Sequence, residues 1–231
     1  MNNQGNVGQA LADAMNDFDD VKISSKRYIT KSLIEFTDTI RDKDGKTGGG
    51  SAAALCGACA AALGVMVSNL TIGKPAYSEY EDVVKECKTT CETVRSFLLY
   101  EVDDDINAFN LISDVLKMDR SNPEFEIKYQ SALKYACSVP LDVMYKCADC
   151  IDALNKLSTA GCKGAISDIG IALILLKAVM ESSRLTCLAN IKYIKDDFYN
   201  LTTTREMDLL FERAFPLVET GVKTVEDRLT K

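Results

Sequence analysis

The stretch DGKTGGGSAAALCGACAAALGVMVSNLTIGK, Asp44 to Lys74, decides the fold. Three glycines and a serine lead into a long run of alanine, glycine and cysteine. Three readings compete: a membrane span, a phosphate cradle, or a close-packed core helix whose N-terminus touches a ligand. From Ser51 to Ile72 the chain carries no charge and is long enough to cross a bilayer. Its content is mostly Ala, Gly, Ser and Cys, whereas insertion is driven by large aliphatics. The nucleotide P-loop pattern GxxxxGK[ST] is not met, because no lysine follows Gly50. The remaining reading is a soluble core helix with Ser51 as its N-cap. Gly57-x-x-x-Ala61 and Ala60-x-x-x-Gly64-x-x-x-Ser68 keep small side chains on adjacent faces, so other helices can approach closely. The pattern therefore puts this helix at the centre of a bundle.

Working outward, Ile29, Leu33, Phe36 and Ile40 stand at helical spacing before the glycine loop. After "IGKPAYSEYE", a helix from about Glu79 to Met118 carries Val83, Val84, Val94, Phe97, Leu98, Val102, Ile106, Phe109, Ile112 and Leu116 on its apolar face. "DRSNPEF" is a turn. A further helix begins near Glu124, is kinked or restarted by Pro140, and stops at Gly161. An apolar helix opens at Ser167-Asp168, and a charged amphipathic one from about Thr204 to Leu229 closes the chain. Strand-type alternation is hard to find. The fold expected is all-α, a multi-helix up-and-down bundle with a central Ala/Gly-rich helix over residues 26–231, and residues 1–25 form an N-terminal extension.

Charge and residue types then limit the chemistry. The net charge is −7, so the excess of Lys and Arg that phosphate neutralisation requires is missing. Nucleic acid is excluded as a partner on that ground, and a small ligand or a protein fits better. The chain has no histidine, which removes the usual general base near neutral pH and the commonest metal ligand. Acid–base work falls to Asp, Glu, Lys, Cys or Tyr. Of nine cysteines, Cys56/Cys59 and Cys147/Cys150 form CxxC pairs. They lie inside apolar helical patterns without the turns of zinc ribbons, so they read as buried core thiols, and no metal is expected. An odd cysteine count and a polar, acidic start point to a reducing cytoplasmic setting.

Four features carry candidate chemistry. Gly48-Gly49-Gly50-Ser51 opens a helix, where free N–H groups and the helix dipole attract anions; a flexible connector is the alternative. Asp103-Asp104-Asp105 interrupts an apolar pattern. Residues two apart cannot share a helix face, so Asp103 and Asp105 diverge, and Asp105 borders the buried face marked by Ile106 and Phe109. A solvated acidic face is the alternative. Ser167-Asp168 is either a cap with an acidic first turn or part of a site. Lys74 with Tyr77 could clamp an anionic ligand or simply be solvated.

Taken in order, these stretches resemble the cyclodeaminase domain of formimidoyltransferase-cyclodeaminase and its stand-alone relative, methenyltetrahydrofolate cyclohydrolase. The matching residues are Gly48 to Ser51, the small-residue helix, Asn69-Leu70-Thr71-Ile72-Gly73-Lys74 with Tyr77, Asp103 to Phe109, Val139-Pro140-Leu141, Gly161 with Ser167-Asp168, and Asn190-Ile191, Ile194 and Asp196. Thr47, Cys162 and Thr186 stand where the family pattern has proline, asparagine and asparagine. The segment after Met118 also looks shorter than the family's. The resemblance implies an all-helical homodimer without a separate cofactor, acting on a tetrahydrofolate. It implies Asp105 as the catalytic carboxylate. It also implies Gly48, Gly49, Gly50, Ser51, Lys74, Asp103, Ser167, Asp168 and Asn190 as substrate-binding. The expected reaction is hydrolysis of 5,10-methenyltetrahydrofolate or cyclisation and deamination of 5-formimidoyltetrahydrofolate. The length leaves no room for a transferase domain, which tilts the expectation to the cyclohydrolase. The departures keep open a catalytically inactive dimeric relative that binds folate or a protein partner. A thiol–metal protein using Cys56, Cys59, Cys147 and Cys150 is the third reading.

Overall fold

The computed structural model describes residues 27–231; the N-terminal extension expected over 1–25 lies outside the described residues. Six α-helices follow in order: α1 Leu33–Ile40, α2 Gly49–Thr71, α3 Glu81–Leu116, α4 Phe125–Ala160, α5 Ile166–Ile191 and α6 Asp197–Leu229. Short 3₁₀ turns precede α1, α3 and α5, and no strand is present among the described residues. Helices α2 to α5 form a four-membered ring, α2 against α3, α3 against α4, α4 against α5 and α5 against α2, and α6 packs on the α4–α5 edge. The all-α expectation holds.

Small residues set the spacing of the ring. A Cβ at Gly57 would lie 2.9 Å from Leu98 of α3, and one at Gly64 would lie 2.7 Å from both Cys91 of α3 and Leu154 of α4. Cys91 and Leu154 are both fully buried, so the glycine is what lets three helices meet there. These contacts also give directions. Proceeding along α2 from Gly50 to Thr71, the neighbours run backward along α3 from Asp105 and forward along α4 from Cys147 to Gly161. The Thr71 hydroxyl accepts the Cys162 N–H at 2.8 Å, which fastens the end of α2 to the α4–α5 connection. The bundle thus has two ends, one at Gly48–Ser51 and Asp105, the other at Lys74 and Gly161. The 23 residues of α2 separate them by about 34 Å at 1.5 Å per residue.

Several local expectations change. Helix α2 is long and apolar enough to cross a membrane, yet half of its most apolar window is buried inside the bundle. Packing, rather than hydropathy, is what makes it a core helix. It is not surrounded on all sides: Cys59, Met66 and Leu70 face outward. The N-cap is Gly48 instead of Ser51, and α5 starts at Ile166 with no side-chain cap, so Ser167-Asp168 does not cap it. Phe109 is exposed, so the buried stripe of α3 runs through Leu98, Val102 and Ile106 without it. In α1 the Ser32–Glu35 capping box fixes the start, but only Phe36 is buried.

Helix α4 passes through Pro140 without a break. A proline there removes the hydrogen bond to the carbonyl four residues back, that of Ala136. The Asn190 side-chain amide of α5 donates to this carbonyl at 3.0 Å and repairs the gap. At its far end α4 stops at Gly161, where Arg228 of α6 donates to the carbonyls of Ser158 and Gly161 at 2.6 and 2.7 Å. Both proline and terminus are therefore served by side chains from neighbouring helices.

Gly64→Val should lower stability by about 3 kcal/mol through overpacking against Cys91 and Leu154, read as a fall of roughly 6–12 °C in Tm. Gly164→Ala, where nothing lies within 4 Å, should leave Tm unchanged. Equal melting of the two variants would show that the Gly64 contact does not set the helix spacing.

Candidate active site at the N-terminus of α2

The carboxylate of Asp105 sits on the first turn of α2. Its Oδ2 accepts the Ser51 N–H at 2.8 Å and the Ser51 hydroxyl at 2.7 Å. A Cβ on Gly50 would fall 2.0 Å from Asp105 Oδ1, so only glycine leaves room for the carboxylate. Helix termini present unpaired N–H groups and a partial positive charge, and Asp105 supplies the anion from inside the protein. Gly50 and Ser51 therefore receive a side chain of the protein itself, while the space beside Gly48 and Gly49 is open. Burial pushes the Asp105 carboxyl above its ordinary range, and the two Ser51 bonds pull it part of the way back.

The three aspartates diverge as helical geometry requires. Asp103 Oδ1 accepts the Tyr28 N–H at 2.6 Å, while its Oδ2 is buried without a partner. Asp104 is half-buried and raised, first by burial, with Asn107 drawing it down and Asp103 adding to the rise. Thr47, directly before the glycines, is buried with its hydroxyl unpaired. Asn190 also belongs to this end of the bundle, where its amide is held by Ala136 and Thr186.

Lys74, Ser167 and Asp168 are not brought to Asp105. They lie at the opposite end, Lys74 and Ser167 exposed and Asp168 half-buried. There the Tyr77 hydroxyl accepts the Lys163 N–H at 2.8 Å, so the connection before α3 and the connection before α5 meet. The cysteines do not converge on a metal either: Cys56 and Cys59 are exposed on α2. Cys150 instead faces Cys91, 3.9 Å away and buried like it. No group of three or more ligating side chains comes together among the described residues.

Two further acids join the Asp105 end. Glu101, one turn before Asp105 on α3, is only 6% exposed and makes no hydrogen bond to the described residues. Burial first, then Asp104, Asp142 and Asp105, push its carboxyl up to about 8. Asp142 of α4 is raised by burial and by Glu206, against the pull of Lys146. Beside them the Tyr135 phenol is pushed up to about 12 by burial and by Asp104 and Glu101. The signal for Glu101 was in the sequence: it stands three residues after Leu98, on the buried stripe, where an isolated carboxylate is costly.

The comparisons with known proteins agree on one family. The formiminotransferase-cyclodeaminase family model matches residues 32–209. The chain belongs to the formiminotransferase-cyclodeaminase family. It is 32% identical over 203 residues to a methenyltetrahydrofolate cyclohydrolase of Methylorubrum extorquens, covering 86% of this chain and 98% of that protein. It is 26% identical over 193 residues to formimidoyltransferase-cyclodeaminase of Gallus gallus. That match spans 82% of this chain and only 36% of the longer relative. A solved structure of formiminotetrahydrofolate cyclodeaminase from Thermotoga maritima superposes with a TM-score of 0.76 at 29% identity, over 87% of this chain and 96% of that one. These relatives are folate one-carbon enzymes, and this chain shares their helical fold.

Gly50→Ala should drive the Asp105 carboxylate off Ser51. The expected result is an upward move in the Asp105 titration, followed by NMR of carboxyl-labelled protein, and a loss of about 1–3 kcal/mol in stability. An unchanged Asp105 titration would show that the carboxylate does not depend on this glycine.

Proposed function

We propose that this protein is a one-carbon tetrahydrofolate enzyme that works at the amidine carbon, hydrolysing 5,10-methenyltetrahydrofolate. Cyclisation and deamination of the 5-formimidoyl form is the related reaction the same residues can serve. The observation that carries the reading is Asp105, a partly buried carboxylate held on the N-terminal turn of α2 in a chain without histidine. Support for the hydrolytic direction comes from the relative that this chain matches over nearly its whole length.

The chemistry asks for a carboxylate. The methenyl carbon is an amidinium, flanked by two nitrogens that share a positive charge. A nearby anion stabilises that cation, and the same anion can take a proton from an attacking water. Oxygen bonds to carbon, one carbon–nitrogen bond breaks, and the freed nitrogen receives a proton; one proton is released overall. Ser51 keeps Asp105 aimed, and its two hydrogen bonds oppose the upward push of burial and favour the ionised form. In the formimidoyl reaction, Asp105 would take the proton of the attacking N10 while ammonia leaves. Neither reaction requires a cofactor beyond the substrate.

Loss of methenyltetrahydrofolate absorbance should accelerate with the protein and drop by about 10²–10⁴-fold in Asp105→Asn. Turnover that survives this substitution would remove Asp105 from the chemistry. Calorimetric binding of folate without turnover on either substrate would point instead to the inactive relative. Running the methenyl and formimidoyl assays side by side decides the direction.

We infer, in addition, that a second copy of this chain covers the outer face of α2. Cys56, Cys59, Met66 and Leu70 are exposed there on a helix with no charged residue. A shallow groove of about 390 Å³ runs beside them, lined by Ala62, Met66, Leu70 and Arg95 among others. A two-fold dimer is self-complementary, and pairing α2 helices antiparallel would set the Lys74 end of one copy against the Asp105 end of the other. That arrangement would reunite the two halves of the family's motif set. Nine free cysteines fit a reducing compartment such as the cytoplasm. Light scattering should report a dimer for the native chain and a monomer for Met66→Lys; a native monomer would remove the second copy.

A further inference from the structure

We propose that Glu101 is the general acid of this site, the proton-donating partner of the base Asp105. The inference rests on the folate reading above for its substrate and on geometry for its assignment.

Glu101 and Asp105 are four residues apart on α3, so their side chains lie one above the other on one face, with Cβ atoms about 6 Å apart. Their surroundings differ sharply. Asp105 accepts two hydrogen bonds from Ser51 on a helix N-terminus, both of which favour its ionised form. Glu101 accepts none from the described residues, is only 6% exposed, and the charged groups that act on it are all acids. Asp104 and Asp105 face it from its own helix, and Asp142 and Tyr135 from α4. Lys146 and Glu206 act on Asp142 behind them. Helix α2, which also packs on α3, brings no charged side chain. A carboxyl so placed, pushed up to about 8, holds its proton near neutral pH, while the two Ser51 bonds draw Asp105 back towards its ionised form. Two carboxyls whose environments separate their ionisation are a general acid–base pair.

The proton balance closes. In the hydrolysis, Asp105 takes a proton from water as the carbon–oxygen bond forms. Glu101 gives its proton to the nitrogen as the carbon–nitrogen bond breaks. The new hydroxyl's proton then replaces the one Glu101 gave, and Asp105 returns its own to solvent, so one proton is released. In the formimidoyl reaction, starting from the protonated amidine, Asp105 takes the proton of the attacking N10. Glu101 protonates the departing amine, which leaves as ammonia, and the proton on Asp105 then restores Glu101. No oxidant, metal or further reagent enters.

The test combines kinetics with direct titration of the intact protein. In the native chain, kcat for methenyltetrahydrofolate should fall above an alkaline limb near pH 8. Glu101→Gln, which matches the neutral carboxyl in shape, should lower kcat by about 10²-fold or more with KM changed only a few-fold, and should remove that limb. Glu101→Asp should recover part of the rate. Near-native kcat in Glu101→Gln, or an alkaline limb that persists in it, overturns the proposal. Carboxyl-labelled NMR gives a readout that needs no turnover: one signal titrating near pH 8, absent in Glu101→Gln, is expected. A native protein inactive on both substrates overturns the folate reading, and the missing signal alone overturns the assignment of the proton to Glu101.

Discussion

One contact organises one end of this bundle: the carboxylate of Asp105 resting on the first turn of α2. Three conditions must hold together for it to form. Gly50 must lack a side chain, because a Cβ there would overlap the carboxylate. Ser51 must present both its amide and its hydroxyl, which it does at 2.8 and 2.7 Å. Helix α3 must run antiparallel to α2 at close range, which the small residues further along α2 allow. The glycine loop, the small-residue helix and the acidic triplet are thus parts of one arrangement. The helix N-terminus supplies a partial positive charge, and α3 delivers the anion that uses it.

Much of this was legible in the sequence, because helical periodicity and small-residue spacing are local signals. The apolar stripes of α3, α4 and α5 appear as runs whose period matches the helix, and the divergence of Asp103 from Asp105 follows from 100° per residue alone. The misreadings came from long-range partners. Ser51 has the chemistry of an N-cap, but its hydroxyl is claimed by a residue 54 positions away. Ser167 fits the same preference and caps nothing. Pro140 looked like a break because the sequence does not show Asn190 arriving from α5 to take up the carbonyl that the proline frees. Phe109 fell on the apolar period and is exposed all the same, at the edge of the packed stripe.

The distribution of the motif residues was the least legible feature. The family resemblance groups Lys74 and Ser167-Asp168 with the glycine loop, whereas the bundle puts the length of α2 between them. An up-and-down topology makes this unavoidable. Residues at the start and the finish of one long helix can never share a site within the same copy. In the proposed dimer the bare outer face of α2 would resolve the conflict, since an antiparallel pair of such helices exchanges their ends. The same exposed, uncharged surface also explains why the helix resembles a membrane span by composition while packing as a core helix on its other side.

A chain without histidine must obtain two different proton affinities from like groups. Carboxyls in water ionise together near pH 4, so environment has to do the separating. Here one helix holds both members a single turn apart. Burial raises both; Ser51 at the N-terminus of α2 pulls the first part of the way back, and the three aspartates around the second push it further up. The acids that surround Glu101 are therefore more than a solvated patch. Each negative charge near it makes its proton harder to lose, while the Ser51 hydrogen bonds oppose the rise that burial imposes on Asp105. An acidic, histidine-free bundle can in this way hold a base and an acid on one face of α3.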